Sequence, residues 1–501
     1  MSENESITSL SEGLRPVLQR VLPGFLDLTQ LERLSAGASQ ETYRIEISTS
    51  EGAQVLAMRR AAGGVEAELG PGHPGLAVEA KLMQVAAAAD VPEPEVYYVL
   101  QPQDGLGAGF IMQWLDGFTL GAQIVKVPEL AAIRPQLAYQ CGEILGRIHS
   151  IDLAATGLDQ QLQSLSPEAF IHQTWDRYKT FNTPQPMIDY AALWLLANLP
   201  KDYAPRLVHN DFRNGNFMVT AEGINAVLDW EVAHIGDAMR DLGWICTHSW
   251  RFGRAHLPVG SWRFGRAHLP VDGFGEKADL FAGYEAATGR TVDPKAVHYW
   301  QVFGSFWWAV GCLSMAEHYR NGPDQSVERP GIGRRSSECQ MDCVNLLFPG
   351  PVTEAKPAAT DAKTNLHMPN TDELLSSVID FLRDEVMSET AGRTQFMARV
   401  AANSLAIVQR EMLLGESGAK AEWRALMALL PWQDAAQRPT VESLRWQLIA
   451  ALRQGDIALS DAGLQSYLRN SVLHRLRIDQ PRYPSLQTAI AGEPADAEAG
   501  G

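Results

Sequence analysis

The sequence predicts an α+β chain: a small β-rich lobe, a larger and mostly helical lobe, and then a separate all-α domain. Three observations carry that expectation. Short apolar runs with strand-like alternation fill the chain before residue 116, and long helical stretches dominate from about Pro128. Around residues 350–368 (GPVTEAKPAATDAKTNLH and the residue after it) the composition turns to Pro, Ala, Thr and charge, with hardly any large apolar residue, as in an interdomain linker. The expected boundaries are an N-terminal extension at 1–29, the β-rich lobe at 30–116, the helical lobe at 117–349, the linker at 350–368, the all-α domain at 369–488 and a disordered tail at 489–501.

In the first lobe, LSAGASQETYRIEI (34–47) ends in the alternation of Tyr43, Ile45 and Ile47, and QVLAMR (54–59) carries Val55, Leu56 and Met58; both read as strands. A Gly/Pro-rich connection leads to a helix over 76–89 with Glu79 in its first turn, followed by two strand-like runs, VPEPEVYYVL and GAGFIMQWLDG. The helical lobe contains stretches at 137–149 and 188–199, interrupted by short apolar runs at 217–220 and 224–229. Beyond the linker, Asn370 and Glu373 stand three apart as a capping box requires, and Leu374, Leu375, Val378, Phe381, Leu382 and Val386 follow at helical spacing. A second helix is expected from Thr394 to Leu414, ending at Gly415 as a left-handed cap.

Composition excludes several function classes. The chain has 501 residues, too many for one compact core, with 46% hydrophobic and 20% charged residues. A formal net charge of -17 argues against a general nucleic-acid or anionic-membrane binder, whose footprint would be basic. The five cysteines are sparse, odd in number and form no CxxC pair, so they read as reduced thiols. Cys339 and Cys343 could share a helix face, but with no histidine nearby they read as packing. The start, MSENESITSL, lacks a basic region followed by an apolar core, and no run of about eighteen apolar residues exists. A cytoplasmic protein with no nucleic-acid or membrane partner is the expectation; its oligomeric state is open.

The segment that carries chemistry is LVHNDFRNGNFMVTAEGINAVLDWE, residues 207–231. His209 and Asp211 open a polar loop, Asn216 follows five residues after the Asp, and two short apolar strands joined by a Glu-Gly turn deliver Asp229. Phosphoryl transfer asks a protein mainly for positioning and charge neutralisation. One carboxylate must accept or orient the acceptor hydroxyl. Another carboxylate and an amide oxygen must hold Mg²⁺, which takes hard oxygen ligands, against the nucleotide phosphates. A loop followed by a hairpin brings Asp211, Asn216 and Asp229 around one point, so the spacing meets the demand.

HxDxxxxN, the hairpin, D-W-E and then GDxxxDL resemble the aminoglycoside phosphotransferase/choline kinase superfamily, and within it the bacterial phosphotransferase-family proteins and the kinase-like domains fused to some acyl-CoA dehydrogenases. The likeness covers about residues 30–348, and the helical domain after the linker resembles the one appended to such bacterial proteins. The resemblance implies a protein-kinase-like two-lobed fold followed by a separate all-α helical domain, with ATP and Mg²⁺ as cofactors and a small-molecule hydroxyl substrate. By it, Asp211 is the catalytic base, His209 braces the loop, Asn216 and Asp229 bind Mg²⁺ with Glu231 assisting, and Asp241 caps the supporting helix. A hydroxyacyl thioester is the acceptor that the dehydrogenase-fused relatives suggest; amino alcohols or aminoglycosides are what the wider superfamily suggests.

In the first lobe, Gly37, Ala38 and Ser39 offer small residues for close approach to phosphates; a plain hairpin turn explains the same residues, and the resemblance favours nucleotide contact. Arg59 stands where most kinases have the phosphate-reaching Lys, with Glu79 as its matching partner, and Gln113 to Leu115 mark the hinge that would hold adenine. Trp175, Tyr178, Trp244 and Trp250 are candidates for an acceptor pocket as well as for core. His318, Arg320, Arg334 and Arg335 could meet an anionic group or form a solvated face. The alternative from another class is a catalytically inactive pseudokinase scaffold that binds nucleotide and recruits a partner through its helical domain.

One stretch stands apart. Residues 249–260, SWRFGRAHLPVG, recur at once as 261–272, SWRFGRAHLPVD. Two units of twelve residues cannot make a solenoid, which stacks at least three larger ones. They read as an in-frame tandem duplication in a surface-reaching loop beside the acceptor site, where added length is tolerated.

Overall fold

The computed structural model describes residues 3–34, 40–66, 73–251, 269–322, 325–354, 370–430 and 438–492. Helix α1 (Glu3–Val21) leads into β1 (Phe25–Leu34), β2 (Gln40–Thr49) and β3 (Gly52–Ala61). Helix α2 (Leu76–Ala88), β4 (Val96–Val99) and β5 (Gly109–Gln113) complete the lobe. The five strands form one antiparallel sheet in the order β1-β2-β3-β5-β4. Tyr43, Ile45 and Ile47 are buried on one face of β2, as their alternation predicts. That face closes over Leu10, Leu14, Val17 and Leu18 of α1 and Phe25 and Leu28 of β1 in one apolar cluster. The expected N-terminal extension at 1–29 is therefore corrected: one face of α1 and the start of β1 belong to the core, because the sheet face would otherwise expose its apolar residues.

Continuing along the chain are α3 (Gly121–Ile124), α4 (Leu137–Ile148), α5 (Leu153–Thr156), α6 (Pro167–Thr180) and α7 (Pro186–Ala197). Four short strands follow, β6 (Pro205–Val208), β7 (Phe217–Thr220), β8 (Gly223–Val227) and β9 (His234–Asp237), and then α8 (Met239–Ile245). β6 pairs with β9 and β7 with β8, both antiparallel, so the polar loop is clamped between two ribbons. Next come α9 (Lys277–Thr288), α10 (Pro294–Asn321), α11 (Glu328–Gly333) and α12 (Ser336–Leu347). The last helices are α13 (Thr371–Asp380), α14 (Met387–Glu389), α15 (Gly392–Leu429), α16 (Val441–Gln454), α17 (Ala462–Asp479) and α18 (Pro484–Ala491).

The chain divides into two compact units: Met1–Ser166 with Lys201–Cys246 and Trp250–Trp300, and Pro167–Pro200 with Thr247–Ser249 and Gln301–Gly501. This division departs from the expected boundaries. α6, α7 and the stretch from Gln301 through α12, assigned by sequence to the lobe at 117–349, pack with the C-terminal helices. Within that unit Trp175 Nε1 and Arg453 Nε both donate to Asp189 Oδ1, at 2.9 and 2.8 Å, and the Tyr190 hydroxyl donates to the Leu459 carbonyl at 2.9 Å.

Two local expectations change. The capping box at Asn370 is present: Glu373 N–H donates to Asn370 Oδ1 at 2.9 Å and Asn370 N–H to Glu373 Oε2 at 2.7 Å. Gly415 caps nothing, because α15 runs through it to Leu429. The glycine there that is needed is Gly418, whose missing Cβ would lie 1.5 Å from His474 Nε2 of α17. In the expected tail 489–501, residues 489–491 belong to α18, where Ala489 is buried, and the rest from 493 lies outside the described residues.

Candidate active site

The site lies within the first unit and is built from the β6–β7 loop, the turn after β8, and the end of β3. β6 ends at Val208, and Leu207 and Val208 are fully buried, so the chain enters the polar loop from the core. Asp241, in the first turn of α8, accepts two successive backbone N–H groups, His209 to Oδ2 at 2.8 Å and Asn210 to Oδ1 at 2.7 Å. His149 Nε2 lies 3.0 Å from the same Oδ2, and its Nδ1 lies 3.1 Å from the Tyr284 hydroxyl. Burial alone would raise the Asp241 carboxyl, but the His149 hydrogen bond and the charges and N–H groups around it hold it below its ordinary value. The expected role of Asp241 as a helix cap is corrected, since α8 begins without a side-chain cap and the carboxylate serves the loop instead.

His209 is buried, and burial lowers its pKa, which favours the neutral ring. Nε2 lies 3.1 Å from the Leu228 carbonyl, and the ring rests 4.5 Å from that of Trp230. Leu228 N–H donates to the Asn216 carbonyl at 2.8 Å. His209 and Asn216 thus brace the residue before Asp229, which itself has φ +69°. A non-glycine in this region is strained, and such strain gathers at functional sites.

Four donated hydrogen bonds surround the Asp211 carboxylate. Arg213 Nε and Trp244 Nε1 donate to Oδ1 at 3.0 and 2.8 Å, and Arg213 Nη2 and Asn216 Nδ2 to Oδ2 at 3.2 and 2.5 Å. A carboxylate offers about four acceptor positions, so Asp211 is saturated. The Arg213 guanidinium sits 4.1 Å above the Trp250 ring.

Arg59 is the second focus. Its Nη1 meets Glu79 Oε1 at 2.9 Å; its Nη2 meets Asp229 Oδ1 at 2.5 Å and Glu231 Oε2 at 3.7 Å. Its Nε donates to Gln40 Oε1, and Gln40 Nε2 donates to Glu231 Oε2 at 3.3 Å. Glu79 is 1% exposed, and burial pushes its carboxyl up to about 7, with Asp229 and Glu231 adding to the rise and Arg59 opposing it. Burial would lower Arg59, but the three carboxylates raise it, so it stays charged.

The structure therefore brings Asp211, His209 and Asn216 into one loop and Arg59, Glu79, Asp229 and Glu231 into one ion cluster, the two joined through Leu228. Gly37, Ala38 and Ser39 lie outside the described residues. Gln113 is the last residue of β5, and its N–H donates to the Glu95 carbonyl at 2.8 Å. Leu115 lies half-buried two residues beyond. Trp175 and Tyr178 belong to the second unit and hold its buried polar network. Arg334 pairs with Glu411 and Asp479, and Arg335 with Glu338, so they serve internal pairing. Sequence reasoning missed Arg213 and the polar use of Trp244. The signal for the first was a cation two residues after the candidate base.

As a divalent-cation site, Asn216, Asp229 and Glu231 offer hard oxygen donors of the kind Mg²⁺ takes. The left-handed backbone at Asp229 carries its carboxylate to the turn, where Arg59 meets only Oδ1, so the donor chemistry fits the ion. No cluster of three or more His, Cys, Asp or Glu in metal-holding geometry occurs among the described residues.

Residues 30–271 match the profile of the phosphotransferase enzyme family, and residues 388–483 match a domain of unknown function, DUF6285. Acyl-CoA dehydrogenase family member 10 of Mus musculus is 29% identical over 247 residues, covering 48% of this chain and 22% of that protein. Acyl-CoA dehydrogenase family member 11 of Gallus gallus is 29% identical over 243 residues, covering 46% of this chain and 30% of that protein. The chain thus spans less than a third of the length of these relatives. A candidate aminoglycoside phosphotransferase of Ralstonia eutropha JMP134 superposes with a TM-score of 0.53 at 23% identity, over 66% of this chain and 96% of that one. The fold is the kinase-like one, with a β-sheet lobe followed by helices.

Proposed function

We propose that this chain, whose residues 30–271 match the phosphotransferase enzyme family, is an ATP- and Mg²⁺-dependent kinase that phosphorylates a hydroxyl of a small molecule. The observation that carries this reading is the convergence of Asp211 and Asn216 on one loop with Asp229 next to the Arg59–Glu79 pair. Asp211 accepts the proton of the acceptor hydroxyl or orients it. Because its acceptor positions are filled, that hydroxyl enters by displacing one of the four donors. His209, neutral and buried, holds Leu228 and so the approach to Asp229. Arg59 offers a fork suited to phosphate oxygens, with Glu79 fixing its direction. Asn216, Asp229 and Glu231 would hold Mg²⁺, which supplies charge neutralisation at the transferring phosphoryl group. The relatives fused to acyl-CoA dehydrogenases favour a hydroxyacyl thioester as the acceptor.

One observation favours the second reading, a nucleotide-binding scaffold: Asp211 saturated by donors and Asp229 paired with Arg59 are also a stable resting arrangement. The first test is the thermal shift with ATP and Mg²⁺ for wild type and Asp229→Ala. A ligand at a hundred times its dissociation constant stabilises by about 2.7 kcal/mol. A shift present in the wild type and lost in the variant supports the metal–nucleotide site; no shift in a folded wild type sinks it. Phosphate transfer to mixed acceptors then separates kinase from scaffold.

A further inference from the structure

The two copies of the twelve-residue passage are identical at eleven positions and differ only at the last, Gly260 in the first and Asp272 in the second. We propose that Asp272 is a positioning residue for the loop that carries Asp211, a role the first copy's glycine cannot fill. The proposal rests on the phosphotransferase reading of that loop.

Asp272 is fully buried, and its Oδ2 accepts the backbone N–H of Asn214 at 2.5 Å. Its carbonyl accepts from Asn214 Nδ2 at 3.3 Å, and its own N–H donates to the Ile245 carbonyl of α8 at 3.2 Å. Asn214 Nδ2 also donates to the Trp250 carbonyl at 3.0 Å. One asparagine of the loop thus joins Trp250, from the start of the first copy, to Asp272, from the end of the second. Two paths lead on to the base. Arg213, next to Asn214, packs on the Trp250 ring and donates twice to Asp211. Trp250 also meets Trp244 edge-on, with centroids 5.0 Å apart, and Trp244 donates to Asp211.

Asp272 is an expensive residue for this position. Its φ is +48°, the region where glycine is favoured and which, among residues with a Cβ, Asp and Asn enter at the least cost. Burial also drives its carboxyl well above the ordinary range. Gly260, the residue that ends the first copy, would adopt the same backbone without strain and without a buried carboxyl. What glycine cannot supply is the acceptor for Asn214 N–H, and the strain falls where a functional loop is held.

The duplication provides its own test. Deleting residues 252–263 leaves one copy ending in Asp272; deleting residues 261–272 leaves one copy ending in Gly260. The two products are the same sequence except at that position. Both are expected to melt cooperatively. With Mg-ATP as probe and water as phosphate acceptor, the Asp-ending product is expected to hydrolyse ATP as the full chain does. The Gly-ending product is expected to lose about tenfold to a hundredfold in kcat with KM for Mg-ATP little changed, since small misplacements of a catalytic group cost this much. Asp272→Gly in the full chain should behave as the Gly-ending product does. Asp272→Asn, which keeps an acceptor oxygen and tolerates the left-handed region, should restore turnover. Amide exchange over residues 208–217 reads the anchor without catalysis, and Asn214 should lose protection in the glycine forms alone.

Equal turnover in the two deletion products overturns the proposal, and so does exchange that changes with no effect on kcat. A wild type that neither binds nor hydrolyses Mg-ATP overturns the phosphotransferase reading and the catalytic role with it. That failure is recognised by an intact exchange difference.

Discussion

Asp211 carries the first prediction at the scale of single residues. Asp211→Asn keeps the size of the side chain but turns one oxygen into a donor that faces Arg213, Trp244 or Asn216 Nδ2. Turnover should fall by about 10² to 10⁴ while the Mg-ATP thermal shift remains, as measured by initial rates beside melting curves. Equal losses in both would argue against a base. His234 carries a prediction about pH. It is buried in β9, and burial lowers its pKa to about 4. The unfolded chain binds its proton below about 6.5 and the folded one does not, so this stability is fully present above 6.5 and is lost as pH falls toward 4. Between pH 7.5 and 5 the loss is on the order of 2 kcal/mol. Urea unfolding of wild type and His234→Gln should differ in pH slope by that amount, the variant being flatter. The residue types at 209, 211, 216 and 229 were readable as a site because their spacing is local. The saturation of Asp211 was not, because Trp244 and Arg213 reach it by folding.

Helix α15 shows what can be read about an element and what cannot. Its 38 residues contain Gly415 and Gly418, and from sequence the first reads as a stop. In the structure both are helical, and they make opposite demands. An added Cβ at Gly415 would lie 3.7 Å from Glu411 Cγ, an ordinary contact, so Gly415→Ala should stabilise by about 0.5–1 kcal/mol through helix propensity. At Gly418 the added Cβ would lie 1.5 Å from His474 Nε2, so Gly418→Ala should destabilise by about 1–3 kcal/mol despite the same propensity gain. Differential scanning calorimetry of the two variants checks the sign of each. β1 teaches the same lesson in reverse: Phe25–Leu34 lacks strict alternation and straddles the expected lobe boundary at residue 30, yet it pairs along β2 because that edge would otherwise be bare.

For the whole molecule, the division of contacts bears on what can be separated. The second unit draws α6, α7, most of α10, α11 and α12 together with α13 to α18. Removing residues 350–501 would leave Asp189, 0% exposed, without Arg453, and Tyr190 without the Leu459 carbonyl. The truncated chain 1–349 should aggregate or melt without cooperativity, by soluble yield and calorimetry. A sharp transition for it would restore the linker at 350–368 as a true domain boundary. No helix among the described residues is long and apolar enough to cross a membrane.

By itself the sequence determined many of the strands and helices and the polar loop with its Asp, Asn and hairpin, while the pairing of Arg59 with Glu79 was what the family resemblance implied. The elements and the loop rest on local periodicity, turn chemistry and spacing, which act over a few residues. Only the tertiary structure decided which helices share a unit, that Asp241 holds a loop backbone, that Gly418 is a packing glycine, and that the last residue of a repeat anchors Asn214. These depend on groups tens to hundreds of residues apart meeting in a dry interior, where an unpaired polar group is costly and its partner is chosen by proximity in space.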